Sequence, residues 1–335
     1  MIIADQATAP LAVSLGDPAG IGPEVIAKTW ERRRDDAVPP FLAVGSVSAL
    51  RAVWDGPIVE IEDPHNAAGA FAEALPVLRV KSAAAAVPGQ PDLEGARNSL
   101  DALEFAVGLT RSGAASGLVT GPVSKAQLYA IGFVHPGQTE FVAERCGVAT
   151  DHVAMMLAGP SLRVIPVTTH IPLRGVPDAL SIELIALKGM VAIKGLQRQF
   201  GIDNPRLAVA GLNPHAGENG TLGREEVEIV LPAIERLRQE GHEVSGPHPP
   251  DIMFHARRRR NYDAALCMYH DQALIPLKTL HFDEGINCTL GLPIVRTSPD
   301  HGTAFDIAGK NLADPGAMIS AIRTAGDCAR RLAGA

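Results

Sequence analysis

The chain has 335 residues, of which 46% are hydrophobic, 20% charged and only 4% aromatic, and its formal net charge at pH 7 is −7. This length exceeds the usual single core, so we expect two domains. The acidic balance argues against nucleic acid as the main partner, and no uninterrupted apolar run is long enough to predict a membrane span.

Cysteine usage and the N-terminus favour a reduced, cytoplasmic compartment. The four cysteines form no C-x-x-C pair and no dense disulfide framework. The N-terminal stretch MIIADQATAPLAV lacks the basic start and long apolar run of a signal peptide. One basic run, residues 257–260, is expected to form a solvated face and not a phosphate or nucleic-acid patch.

Apolar runs alternate along the chain with amphipathic segments, which predicts an α/β fold with a mainly parallel central sheet. Residues 55–95 are rich in proline, glycine and alanine and are left unassigned. Strands are predicted at residues 10–15, 41–44, 118–120, 155–157, 162–168, 207–210 and 264–269, with 155–168 as a hairpin or adjacent strands. Helices are predicted at residues 23–33, 46–53, 97–112, near 126, after the loop 133–141, and at 181–200 and 225–240.

A glycine-rich loop, GDPAGIGPE, follows the first strand at residues 16–24. Its spacing, G-x-x-x-G-x-G, matches neither the dinucleotide fingerprint nor the P-loop. By itself the loop therefore predicts a tight turn from strand to helix.

Three apolar strands run directly into a histidine, at His170, His215 and His270. In open α/β sheets, ligands gather beyond the carboxyl ends of the strands, so three imidazoles delivered there fit a divalent cation site. The alternative is that the three histidines are structural residues, each hydrogen bonded to its neighbours, and bind no metal. The pattern alone leaves these two interpretations balanced.

Polar side chains are densest between residues 264 and 310, after the strand that ends at His270. Lys278 and Arg296 lie there in largely apolar surroundings, where an uncompensated charge is expensive. An anionic substrate would compensate them. Ordinary salt bridges to nearby carboxylates are an equally good interpretation.

Several segments together resemble the 4-hydroxythreonine-4-phosphate dehydrogenases of vitamin B6 biosynthesis, in the right order and over nearly the whole chain. They are GDPAGIGPE, TGPVSK, PGQTEF, TTHIPL, LNPHAGENG, YHDQALIPLK and LGLPIVRTSPDHGTAFDIAG. The resemblance implies an α/β, isocitrate/isopropylmalate-dehydrogenase-like fold in which two α/β/α domains flank a central cleft. It also implies a homodimer whose active sites are shared between the subunits.

The expected domains are residues 1–125 with 300–335, and residues 126–299. The second domain is expected to carry the metal-binding histidines and the dimer contacts. These limits are approximate.

The family oxidises the 3-hydroxyl of 4-phosphooxy-L-threonine with NAD or NADP, and loss of carbon dioxide then gives 3-amino-2-oxopropyl phosphate. The resemblance implies one divalent ion, held by His170, His215 and His270, and leaves zinc, magnesium, manganese and cobalt open. Such an ion lowers the pKa of the hydroxyl and stabilises the enolate that follows decarboxylation. Asp251 and Asp271 are candidates for the general base or for orienting a ligand histidine, with orientation favoured for Asp271.

The resemblance also implies a set of substrate contacts. Where the family usually has G-H-T-E, this chain has glutamine at position 138, which can hydrogen bond but cannot transfer a proton at neutral pH. The substrate contacts are expected from Gln138, Thr139, Lys278, Asn287 and Arg296.

Three alternative functions remain open at this point. Dehydrogenases with this fold also act on threonate or erythronate 4-phosphate and on aromatic cis-dihydrodiols, although Lys278, Asn287 and Arg296 favour a phosphorylated substrate. A metal-dependent phosphohydrolase would also need histidines at strand ends and cations for phosphate. The third alternative is a catalytically silent binding protein.

Overall fold

The computed structural model describes residues 9–82 and 86–334. Residues 1–8, part of the stretch judged for a signal peptide, lie outside this range. The chain divides into two compact units, one built from residues up to Cys146 together with those from Pro293 onward, the other from Gly147–Leu292. The domain limits expected from the sequence differ from these by up to about 20 residues and stay a prediction.

Strands and helices are labelled here in chain order. The strands are β1 Leu11–Ser14, β2 Phe41–Gly45, β3 Ile58–Glu60, β4 Leu75–Arg79, β5 Leu118–Thr120, β6 Ala154–Gly159, β7 Leu162–Thr168, β8 Leu207–Ala210, β9 Val244–His248, β10 Ala264–Tyr269, β11 Ile286–Leu290 and β12 Arg296–Pro299. The helices are α1 Gly22–Glu31, α2 Val47–Arg51, α3 Ala67–Ala70, α4 Leu93–Ser112, α5 Lys125–Ala130, α6 Gln138–Arg145, α7 Val176–Ala179, α8 Ile182–Phe200, α9 Leu231–Gln239, α10 Pro250–Met253, α11 Ala256–Arg259, α12 His270–Leu280 and α13 Gly316–Gly334.

The first unit contains a parallel sheet with strand order β3-β4-β2-β1-β5-β12. Strands of parallel sheets are covered on both faces and therefore read as continuous apolar runs. The run Phe41–Gly45 fits this rule, since all five of its residues are buried. The predicted α/β class and parallel core are confirmed.

The glycine-rich loop forms the predicted tight turn between β1 and α1. Gly16 has a φ of +74°, in the left-handed region that favours glycine. A Cβ on Gly22 would lie 2.0 Å from the carbonyl oxygen of Leu15, so only glycine fits this close approach.

The second unit contains a mixed sheet with strand order β11-β6-β7-β10-β8-β9. The strands β6 and β7 pair antiparallel, which confirms the predicted hairpin. From β7 onward the neighbouring strands run parallel. Leu277 and Ala273 of α12 pack into a core cluster with buried residues of β7, β8 and β10, so this helix is held firmly against the sheet.

Several strands and helices were not predicted from the sequence. The unassigned stretch 55–95 contains β3, α3, β4 and the start of α4, which begins four residues earlier than expected because the side chain of Asp92 caps its N-terminus. The strand β12, with the sequence RTSP, is fully buried although it carries none of the aliphatic or aromatic side chains that are typical of strands. The strand β9 contains Gly246 and Pro247, residues that normally argue against a strand.

None of the helices in the described part of the chain combines the length and apolarity that a membrane crossing requires.

Candidate active site

The three strands that lead into histidines are neighbours in the sheet of the second unit. The central strand β10 pairs in parallel with β7 on one side and with β8 on the other. Neighbouring strands lie about 4.8 Å apart, and parallel strands share the same carboxyl edge. His170, His215 and His270 therefore follow three adjacent strand ends at one edge, as the sequence pattern required.

His170 and His270 lie side by side, with their ring centroids 5.7 Å apart. Together with Tyr269 and Asp271 they line a cavity of about 200 Å³. Two imidazoles bound to one tetrahedral ion through metal–nitrogen bonds of about 2.1 Å would have their ring centres roughly 5 Å apart. The pair is thus compatible with a shared divalent ion.

Asp271 contacts His270 directly, because Nδ1 of the imidazole lies 2.7 Å from Oδ1 of the carboxylate. This hydrogen bond orients the ring and leaves Nε2 as the nitrogen available to a ligand. The orienting role favoured for Asp271 on sequence grounds fits this geometry.

His215 lies in an unusual turn, Pro214–Gly220, which follows β8. Five consecutive residues, 215–219, have φ values between 44° and 77°, and only Gly217 among them is a glycine. His170 also has a positive φ, of 55°. Left-handed backbone costs about 1–2 kcal/mol per non-glycine residue, and such strain is typical of functional sites.

A chain of hydrogen bonds ties the three strand ends together. The hydroxyl of Thr168 at the end of β7 donates to the carbonyl oxygen of Met268 in β10 at 2.8 Å. The backbone N–H of Met268 donates to Oε1 of Gln272 at 2.7 Å, and Nε2 of Gln272 donates to the carbonyl oxygen of Gly211, just beyond β8, at 2.8 Å. Gln272 was not among the predicted site residues, although it directly follows His270 and Asp271.

Three of the predicted substrate contacts lie together in the first unit. Arg296 is only 3% exposed, and its guanidinium donates to the hydroxyls of Thr120 at 2.8 Å and Thr139 at 3.3 Å. Gln138 donates through Nε2 to the carbonyl oxygen of Gly121 at 3.1 Å. Its buried Oε1 has no hydrogen-bond partner in the part of the chain that the structure describes, so the group offered to a ligand is an acceptor.

The remaining candidates belong to the second unit. Lys278 is half-buried on α12, with Nζ 6.0 Å from the ring centroid of Phe282. Asn287 pairs with Leu157 across β11 and β6, and within residues 9–82 and 86–334 its buried Oδ1 finds no hydrogen-bond partner. Asp251 is exposed on α10, and its role stays a prediction.

The described residues of a single chain contain no group of three or more His, Cys, Asp or Glu side chains that could hold a metal ion. The pair His170 and His270 supplies two nitrogen donors and an orienting carboxylate, which suits a divalent ion. The family resemblance implies that a second subunit completes the ligand set. The three-histidine assignment therefore stays a prediction.

Parallel strands with polar side chains gathered beyond their carboxyl ends are typical of α/β proteins that bind a ligand at this edge of the sheet. The model of a protein family described as pyridoxal phosphate biosynthetic protein PdxA matches residues 38–325. Two relatives named 4-hydroxythreonine-4-phosphate dehydrogenase are 55% identical to this chain. The one from Zymomonas mobilis aligns over 96% of each chain, and the one from Erythrobacter litoralis over 97% of this chain and 98% of its own.

A solved structure of the same title, from Klebsiella pneumoniae, has a TM-score of 0.83 and 38% identity, and the match covers 96% of this chain and 99% of that one. The chain belongs to the PdxA family of pyridoxal phosphate biosynthesis. The predicted family, dehydrogenase class and isocitrate/isopropylmalate-dehydrogenase-like fold are confirmed.

Replacing Gln272 with methionine should lower the free energy of unfolding by about 1–3 kcal/mol, because the N–H of Met268 and the carbonyl of Gly211 would lose a buried partner. Urea unfolding measures this change. Gln197→Met is the matched control, since Gln197 is exposed and its single bond to Asp203 lies on the surface. Equal stability of the two variants would contradict a bridging role for Gln272.

Proposed function

We propose that this chain oxidises the 3-hydroxyl of 4-phosphooxy-L-threonine with NAD or NADP and releases 3-amino-2-oxopropyl phosphate after decarboxylation. The 55% identity to named dehydrogenases over nearly the full length of both chains carries this proposal. The four free cysteines support a reducing compartment such as the cytoplasm.

His170, His215 and His270 are proposed to hold one divalent ion, which, when bound, supplies positive charge that lowers the hydroxyl pKa and stabilises the enolate. Asp271 keeps the His270 ring in the orientation that presents Nε2. Because Asp271 is engaged in this way, Asp251 is the better candidate for the base that takes the hydroxyl proton.

Arg296 is proposed to bind an anionic group of the substrate. Its bonds to Thr120 and Thr139 hold the guanidinium as a rigid fork, which suits a carboxylate or a phosphate. Lys278 is proposed to supply a second positive charge. The unpaired Oε1 of Gln138 is proposed to accept a hydrogen bond from the substrate ammonium, or from the matching hydroxyl of threonate 4-phosphate.

A turnover assay tests the proposed activity. Metal-replete protein should reduce NAD or NADP with 4-phosphooxy-L-threonine, and it should do so faster than with threonate or erythronate 4-phosphate. Faster reduction with the sugar-acid phosphates would favour the alternative dehydrogenase. Phosphate release without any nicotinamide reduction would indicate a phosphohydrolase, and substrate binding without turnover a silent binding protein.

His270→Ala should weaken binding of Zn²⁺ or Co²⁺ more than about 100-fold, since even residues behind the ligands change metal affinity by 10–100-fold. Turnover should fall with it. Competition against a chelator measures the affinity, and His242→Ala, in the loop between α9 and β9 of the same unit, serves as the control. Wild-type metal affinity in the His270 variant would refute the assignment of this ligand.

The chain is also proposed to act as a homodimer. The elements that carry His170 and His270 expose Leu173 at 66% and Ile275 at 65% of their surface, and Ile171 at 41%. Large apolar side chains exposed near a site are typical of surfaces that another subunit covers.

If a second copy covers this surface, Ile275→Asp should produce a monomer, because the interface would then bury an unpaired charge. Sedimentation should give a mass near 35.2 kDa for this variant and twice that for the parent. Leu312→Asp, equally exposed at 67% but in the other unit, should remain dimeric. A dimeric Ile275 variant would place the interface elsewhere.

A further inference from the structure

Glu226 is a buried acidic residue in the second unit, with only 2% of its surface exposed. It begins the π-helical segment Glu226–Val230, directly before α9. A carboxylate withdrawn from water is costly unless hydrogen bonds satisfy its oxygens. Where those bonds go therefore indicates what the residue does.

The carboxylate accepts three hydrogen bonds from the two residues that precede the His215 turn. Oε1 accepts from the backbone N–H groups of Leu212 and Asn213, both at 2.7 Å. Oε2 accepts from Nδ2 of Asn213 at 2.9 Å. All three donors lie within three residues of His215, so the carboxylate fixes the base of the turn.

The turn also packs directly against this carboxylate. A Cβ on Gly217 would lie 2.5 Å from Oε2 of Glu226, and a Cβ on Gly211 would lie 3.1 Å from Oε1. Only glycine fits at Gly217, where φ is +77°. The turn and Glu226 are therefore complementary in shape as well as in hydrogen bonding.

The turn needs such support because four of its non-glycine residues, His215, Ala216, Glu218 and Asn219, adopt left-handed backbone. Strained conformations persist only where the surroundings over-determine them. We propose that Glu226 is a positioning residue that holds this left-handed turn and thereby presents the His215 imidazole to the divalent ion. This inference rests on the metal role proposed above for His215.

A glutamine at position 226 would have nearly the same shape as the glutamate, but it could not accept all three hydrogen bonds. Its NH₂ group would face either the two backbone N–H donors or Nδ2 of Asn213, and donors facing donors cannot bond. The turn should then sample other conformations, and the imidazole should spend less time in the orientation that binds metal.

The test compares Glu226→Gln with a matched control, Glu24→Gln. Glu24 is equally buried, at 3% exposure, and also accepts from backbone N–H groups, those of Gly309 and Ala313. It lies in the first unit and is also paired with Lys28 at 2.9 Å. Both variants should melt at a lower temperature than the parent. Only Glu226→Gln should weaken Zn²⁺ or Co²⁺ binding, by about 10- to 100-fold as for residues that orient metal ligands.

A purely structural role would lower both melting temperatures and leave both metal affinities unchanged, which would overturn the inference. If Glu226→Gln does not fold, Gly217→Ala perturbs the same contact from the side of the turn and should weaken metal binding as well. Wild-type affinity in that variant would equally overturn it.

Amide hydrogen exchange in metal-free protein separates this inference from the proposed function. Residues 212–223 should exchange faster in Glu226→Gln than in Glu24→Gln. If the parent protein binds no metal but residues 212–223 still exchange faster in Glu226→Gln, His215 is not a metal ligand, although Glu226 does stabilise the turn. If the parent binds metal and exchange is unchanged, the positioning role falls alone.

Discussion

The alignment of three neighbouring strand ends is the constraint on which the candidate site of the second unit depends. Backbone groups buried at the ends of β7, β10 and β8 must find partners, and side chains of Thr168 and Gln272 supply several of them. Any slip of one strand against another would leave these groups unpaired. The histidines that follow each strand inherit that alignment, which is why residues distant in sequence come to share one edge of the sheet.

The site combines rigid support with local strain. Left-handed backbone at His170 and throughout the His215 turn is unfavourable in itself, and the residues that precede the His215 turn are hydrogen bonded to the buried carboxylate of Glu226. The first unit uses a different device, in which the guanidinium of Arg296 is held by two threonine hydroxyls. In both units a polar side chain predicted to bind ligand is held by hydrogen bonds to neighbouring side chains, His270 by Asp271 and Arg296 by Thr120 and Thr139.

Sequence patterns predicted some of these features better than others. Long apolar runs located β7, β8 and β10, and the histidines behind them were recognisable for that reason. The strand β12 was missed because RTSP carries no aliphatic or aromatic residue, and α12 was missed because Pro276 interrupts its helical sequence. The hydrogen-bond partners of Gln272 and Glu226 could not be found from the sequence, since nothing local reveals that they lie 61 and 13 residues away.

The sequence by itself determined the α/β class, through the alternation of strand and helix patterns, and the family, through motifs spread over nearly the whole chain. Only the tertiary structure decided that β10 lies between β7 and β8, that the HAGEN segment turns left-handed, and that Glu226 is buried beneath it. The physical reason is the sequence distance over which each effect acts. Periodicity and turn chemistry act over a few residues, whereas strand order and the burial of a charge depend on which distant segments pack together.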